Sequence, residues 1–175
     1  MPQHHKSAQL ATVLVVDDFD DARQLIALNL KSEGYRVVEA TNGREALEAA
    51  RRETPDLILM DLSLPALDGL SAACRIREMK ELETAPLVAC SAHHAGTHRA
   101  AALAVGCDDY LEKPIDMEAL RLVVAQLLTQ RADAMRGDGG PVRGKSRIES
   151  SRLNDDELQE AIDRLLSESA ATHGE

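Results

Sequence analysis

A doubly wound α/β domain with a five-stranded parallel sheet is the fold this sequence predicts over roughly residues 10–130. Three observations carry it. Five short apolar runs alternate strictly with five helical patterns, an order that requires crossover connections. The runs LVV, LILM and LVAC are continuously apolar, as strands covered on both faces must be. Nearly everything polar and unusual sits at the carboxyl ends of those runs, where open α/β sheets place their functional crevice.

TVLVV (12–16) is the first strand; Ile26 and Leu30 follow at helical spacing, and Gly34 ends that helix. YRVVEA (35–40) is the second strand, and Asn42-Gly43 then leads into a helix through Arg52 carrying Ala46, Leu47 and Ala50. DLILMD (56–61), just after Pro55, is the third strand, with a helix from about Leu70 to Met79 behind it. PLVACS (86–91), a helix near Thr97–Val105, DYLEK (109–113) and a helix from about Met117 to Gln130 complete the alternation. Asp20 or Asp21 is expected to cap the first helix.

Beyond that helix the pattern breaks. The domain is drawn at 10–131, after a disordered stretch at 1–9, with a flexible linker at 132–152 whose segment 136–149 is glycine-rich and basic. A short amphipathic helix is expected at 153–169 and a disordered tail at 170–175. In that helix Asn154 is a plausible N-cap with Glu157 at N3, Leu153 and Leu158 stand at the staple positions, and Leu158, Ala161, Ile162, Leu165 and Leu166 form one stripe. It has no core of its own, so folding back on the domain and binding a partner both stay open.

Composition narrows the function. The only aromatic residues are Phe19, Tyr35 and Tyr110, so the core must be aliphatic. A formal charge of −10 argues against nonspecific nucleic-acid binding. The apolar runs are too short to span a membrane and no signal-peptide pattern opens the chain, which points to the cytoplasm. Cys74, Cys90 and Cys107 are odd in number and widely spaced, so they read as small buried hydrophobes. His94 and His98 are four apart, but no third ligand is evident for zinc.

The run VLVVDDFDD poses the central question, because a buried strand ends there in adjacent acids. Two carboxylates about 4 Å apart repel by on the order of 4 kcal/mol at an effective dielectric near 20. Such acids either turn to water or hold a cation. Strand one ends in Asp17-Asp18, strand three in Asp61, strand four in Ser91, and strand five leads to Lys113-Pro114. Three carboxylates, a hydroxyl and an ammonium on one sheet edge suit a hard divalent cation and an anionic phosphoryl group, around a carboxylate that can act as nucleophile. No GxxxxGK loop is present, which excludes a P-loop nucleotidase.

Taken together, VLVVDD, DLILMDLSLPALDG, the serine of VACSA and DYLEKP, in this order and spacing, resemble the receiver domain of bacterial two-component response regulators over about residues 11–130. The resemblance implies a flavodoxin-like sheet of strand order 2-1-3-4-5 and a stand-alone receiver. Asp61 would accept a phosphoryl group from a histidine kinase or a histidine phosphotransfer protein. Asp18, Asp61 and the backbone carbonyl of Ser63 would ligate magnesium (or manganese), with Asp17 acting through a bound water. Lys113 would contact a phosphoryl oxygen, the Lys113-Pro114 bond would be cis, and Ser91 with Tyr110 would form a switch pair. Ser63 and His93 fall where the family tunes dephosphorylation, and Ala22 and Leu25 on the first helix where its partners dock.

Such a receiver catalyses only its own phosphorylation and dephosphorylation. It signals by phosphorylation-controlled binding to an output protein in trans, or to a second copy as a homodimer, with no DNA binding of its own. Two rivals remain. An aspartate-nucleophile phosphatase of the haloacid dehalogenase type would need a second acid where Ser63 stands. A phosphate-independent scaffold would have no use for the full set Asp17, Asp18, Asp61, Ser91 and Lys113.

Overall fold

The computed structural model describes residues 10–64, 68–92 and 96–136. Five parallel strands form one sheet: β1 (Thr12–Val16), β2 (Arg36–Ala40), β3 (Leu57–Asp61), β4 (Leu87–Ser91) and β5 (Asp109–Glu112), in spatial order β2-β1-β3-β4-β5. The helices are α1 (Asp20–Ser32), α2 (Gly43–Glu53), α3 (Asp68–Arg77), α4 (Gly96–Ala104) and α5 (Met117–Arg136), with a single 3-10 turn at Lys80–Leu82. The doubly wound fold and its strand order are those read from the sequence. His93, His94 and the segments 1–9, 132–152 beyond Arg136, 153–169 and 170–175 lie outside the described residues.

Strand alternation splits the core in two. Val13, Val15, Leu57, Leu59, Val88 and Cys90 point to one face, where Ile26 and Leu30 of α1 and Leu120 and Val124 of α5 cover them. Leu14, Val16, Ile58, Met60, Leu87 and Ala89 point to the other and pack against α2, α3 and α4. Both faces are thus dry, which explains the unbroken apolar runs.

Helix ends follow local chemistry. Gly34 (φ 89°) follows α1, where its N–H donates to the Lys31 carbonyl and that of Tyr35 to the Leu30 carbonyl, a Schellman closure. Asn42 caps α2 by accepting from the Glu45 N–H at 3.0 Å, while Glu45 reaches back to the Thr41 N–H at 2.9 Å.

Two expectations fail. Neither Asp20 nor Asp21 caps α1: Phe19 holds the cap position in extended conformation with no side-chain bond, both acids lie in the first turn, and Asp20 is drawn to Arg23. α5 does not stop at Gln130, nor does the linker begin at 132, because the helix runs to Arg136. No glycine or proline interrupts it before Gly137, and Arg131 ties it down through a 2.6 Å ion pair with Asp56.

Arg77 locks the end of the sheet remote from the acids. Its guanidinium donates to the carbonyls of Gly106 and Ala85, both at 2.7 Å, and pairs with Asp108, which accepts from the Leu87 N–H. Replacing it with alanine strips partly buried carbonyls of their donor. Arg77→Ala is expected to lower unfolding free energy by about 2–4 kcal/mol in a denaturant titration. A change within measurement error would show that water replaces the guanidinium freely.

Candidate functional site

The strand register brings the acids together. Val16 pairs with Met60, so Asp17, the residue after β1, falls beside Asp61 at the end of β3. Asp61 pairs with Cys90, and Ser91 with Glu112, so the carboxyl edge runs Asp17, Asp61, Ser91, Lys113 across four neighbouring strands. The Lys113 N–H extends the ladder by donating to the Ser91 carbonyl at 2.8 Å. β1 and β3 flank the point where the connections turn to opposite faces, the place where such a sheet opens a crevice.

Asp17, Asp61 and Ser91 are almost wholly buried, and Asp18 is exposed. Each buried acid divides its oxygens in the same way. Asp17 Oδ1 accepts from the Phe19 N–H at 2.9 Å and Asp61 Oδ1 from the Ser63 N–H at 2.7 Å. Their Oδ2 atoms both accept from Lys113 Nζ, at 2.8 Å for Asp17 and 2.6 Å for Asp61. One carboxylate oxygen from each of Asp17, Asp18 and Asp61 lies within 4.8 Å of the others. Among the described residues one ammonium, Lys113, bonds within this cluster of three carboxylates and leaves it short of positive charge.

Titration reflects this balance. Burial pushes the Asp61 carboxyl above its ordinary range, against the pull of the Lys113 bond and the Ser63 N–H. For Lys113 burial works downward, but the bonds to Asp17 and Asp61 more than offset it and leave the ammonium above its usual value. All three acids offer only oxygen, the donor that magnesium and manganese accept, and they surround one small volume.

Other expected residues have definite places. The Lys113-Pro114 bond is cis. Tyr110 is buried in the core cluster that contains Ala102 and Val105 of the α4 side. Ser63 is exposed, and its Oγ accepts from the Ala92 N–H at 3.4 Å, joining the loops after β3 and β4. On α1 Ala22 is half-buried and Leu25 is 55% exposed.

A family model for the response regulator receiver domain matches residues 13–125. The chain belongs to that family. Among curated relatives, the receiver is 42% identical over 123 residues to a 14.6 kDa protein from the sodA1 3′ region of Leptolyngbya boryana, covering 70% of this chain and 94% of that one. It is 37% identical over 116 residues to the transcriptional regulatory protein SrrA of Staphylococcus aureus, covering 66% of this chain but only 47% of SrrA. It thus spans about half of that relative. Among solved structures, the receiver domain of the sensor histidine kinase PA1611 from Pseudomonas aeruginosa, with a magnesium ion coordinated in its active-site cleft, superposes with a TM-score of 0.64. Identity there is 33%, over 69% of this chain and 99% of that one. The Francisella response regulator 1452 receiver domain gives a TM-score of 0.63 at 30% identity, over 69% and 98% of the two chains.

The cysteines of this receiver lie outside the polar set. Cys90, beside Asp61, and Cys107 are buried, and burial pushes both thiols up to about 12. At about pH 8 such a thiol is ionised to roughly one part in ten thousand, against about a quarter for an ordinary one. Native protein treated with iodoacetamide at that pH is expected to label at half-buried Cys74 first and to label Cys90 and Cys107 only after unfolding. Native labelling of Cys90 at the rate of an exposed thiol would contradict its burial.

Sequence reading missed Arg23, whose guanidinium lies against the Asp17 backbone. An arginine three residues after an aspartate reads as an ordinary exposed helix pair. Only the packing of α1 on the sheet shows that it turns inward.

Proposed function

We propose that this receiver takes a phosphoryl group onto Asp61 in a reaction that needs magnesium or manganese, and signals by changing which protein it binds. The donor is a phosphohistidine on a histidine kinase or phosphotransfer protein. The observation that best supports the reading is the Lys113 ammonium bridging Asp17 and Asp61 within a cluster of three acids. Asp18, Asp61 and the Ser63 carbonyl would hold the cation, with Asp17 acting through a water. The metal, when bound, supplies positive charge to the transferring phosphoryl oxygens.

The chain's own residues do the rest. An ionised Asp61 oxygen forms the new bond to phosphorus while the phosphorus–nitrogen bond of the donor breaks and its electron pair stays on the imidazole. Lys113, already 2.6 Å from Asp61, is placed to pair with an oxygen of the incoming group. Ser91 donates its hydroxyl to another oxygen, and the loop after β4 shifts with it. Tyr110, packed beneath α4, responds to that shift and alters the surface formed by α4, β5 and α5. Moving from 1:99 to 99:1 active requires the phosphoryl group to favour the active form by about 5.5 kcal/mol.

Ala22 and exposed Leu25 form part of the surface that meets the kinase, while Ser63 and His93 set how fast water removes the group. The output partner is a protein in trans or a phosphorylation-dependent second copy, and the segment 153–169 contributes to that binding. It acts in the cytoplasm on this reading; among the described residues no helix is long and apolar enough to cross a membrane. A phosphatase acting on outside substrates fits less well, since the position two after Asp61 carries a hydroxyl and no second acid.

Incubating the full chain with acetyl phosphate and magnesium, then measuring intact mass, tests the reading. One added phosphoryl group is expected with metal and none after chelation. No gain under either condition would overturn it.

A further inference from the structure

Arg23 is nearly buried, with 10% of its side chain exposed, on an acid-rich first turn. Its Nη1 donates to the Asp17 main-chain carbonyl at 2.9 Å. Its Nη2 pairs with Asp20, and its Nε lies 3.5 Å from Glu39 Oε2 on β2. The carbonyl it holds belongs to the peptide that joins Asp17 to Asp18. On the other side of Asp17, the N–H donates to the Ala40 carbonyl at 3.1 Å. Phe19 at the helix cap adds no side-chain bond. Both peptide groups flanking Asp17 are therefore fixed, one by β2 and one by Arg23.

We propose that Arg23 is the positioning residue of the acidic cluster. By pinning the Asp17–Asp18 peptide it keeps two mutually repelling carboxylates beside Asp61, adding to the bonds that Asp17 already makes with Lys113 and the Phe19 N–H. It touches neither cation nor phosphoryl group and acts through the backbone. The inference rests on the reading of the cluster as a cation site.

Position and charge make opposite predictions. As a charge alone, a guanidinium this close repels an incoming cation, so removing it would tighten metal binding. As a clamp, its removal lets the acids drift apart and weakens binding. Lysine separates the two, because it keeps the charge but is a compact point donor that cannot serve the Asp17 carbonyl, Asp20 and Glu39 together.

The experiment titrates full-length protein with magnesium or manganese chloride in a calorimeter, and follows amide hydrogen exchange at residues 17–19 without metal. Arg23→Lys and Arg23→Ala are both expected to lose about tenfold or more in metal affinity and to exchange faster at those amides. Arg131→Ala, which removes the ion pair to Asp56 at the opposite end of β3, controls for general destabilisation and is expected to change neither. Wild-type affinity in Arg23→Lys, tighter binding in Arg23→Ala, or an equal loss in Arg131→Ala would overturn the proposal. If the wild-type chain binds no metal, the cation reading falls by itself. Exchange at residues 17–19 then still decides the role of Arg23, and an unchanged rate in Arg23→Lys counts against it.

Discussion

Asp61→Asn is expected to abolish phosphoryl uptake from acetyl phosphate and, at neutral pH without metal, to make the protein more stable. Loss of uptake follows because the amide is no longer a nucleophilic carboxylate. The stability gain follows from burial. In the native protein the Asp61 carboxyl sits above its ordinary range, chiefly because it is withdrawn from water. Between its unfolded and native values, the native state holds more protons than the unfolded one, so stability falls as pH rises through that window. Above it the full penalty of an ionised, buried acid remains. Asparagine has nearly the same shape and no charge, so the penalty disappears, while Lys113 keeps Asp17 as a partner at 2.8 Å. Thermal unfolding in chelator from about pH 4 to about pH 8 checks the sign: the advantage of Asp61→Asn should be largest at neutral pH and shrink toward acid. A variant that still gains a phosphoryl mass would place the acceptor on another residue. A variant less stable than the wild type at neutral pH would mean that the Lys113 bond outweighs the cost of burial.

How much of this was legible before the fold was known depended on whether a residue acts through its local pattern or through distant packing. The runs LVV, LILM and LVAC are apolar without alternation because α1 and α5 cover one sheet face and α2, α3 and α4 the other. Strict alternation of strand and helix left few topologies, and the acids stood out because they end buried strands. Ends of elements were less legible. Asp20 looked like a cap by its type, but Arg23 lies one turn on and draws it away, a contact that depends on α1 packing on the sheet. α5 continues past Gln130, and Arg131 just beyond it pairs with Asp56, a contact between distant segments that no local periodicity encodes. Arg77 was silent for the same reason, as its carbonyl partners Ala85 and Gly106 sit eight and twenty-nine residues away. The motif ending in Asp68-Gly69 was legible as a motif only. Its physical reason lies in the space above β3.

That space makes Gly69→Ala a damaging substitution for its size. Gly69 lies in the first turn of α3, directly over the end of β3. A Cβ built there would stand 2.3 Å from the Asp61 carbonyl oxygen and 3.0 Å from Leu62 Cα. Both are backbone atoms, so no side chain can rotate away, and either α3 must lift or the end of β3 must sink. Overpacking of this kind costs about 1–3 kcal/mol and sometimes more. The better helix propensity of alanine offsets at most about 1 kcal/mol, and less in a first turn. A net loss of about 2 kcal/mol is expected, seen as a fall in melting temperature of roughly 8 °C. The functional effect should exceed the stability effect, since the backbone that moves carries Asp61, the proposed phosphoacceptor. Well below the melting temperature, phosphorylation by acetyl phosphate with magnesium is expected to slow by about a hundredfold, the scale of a misplacement near 1 Å. Gly34→Ala is the contrasting case. Gly34 has φ 89° with nothing within 4 Å of an added Cβ, so only backbone strain of about 1–2 kcal/mol applies there. It should melt earlier yet phosphorylate at the wild-type rate. If Gly69→Ala melts and phosphorylates like the wild type, α3 can rise from β3 at no cost. The Asp61 main chain is then not held by the packing described.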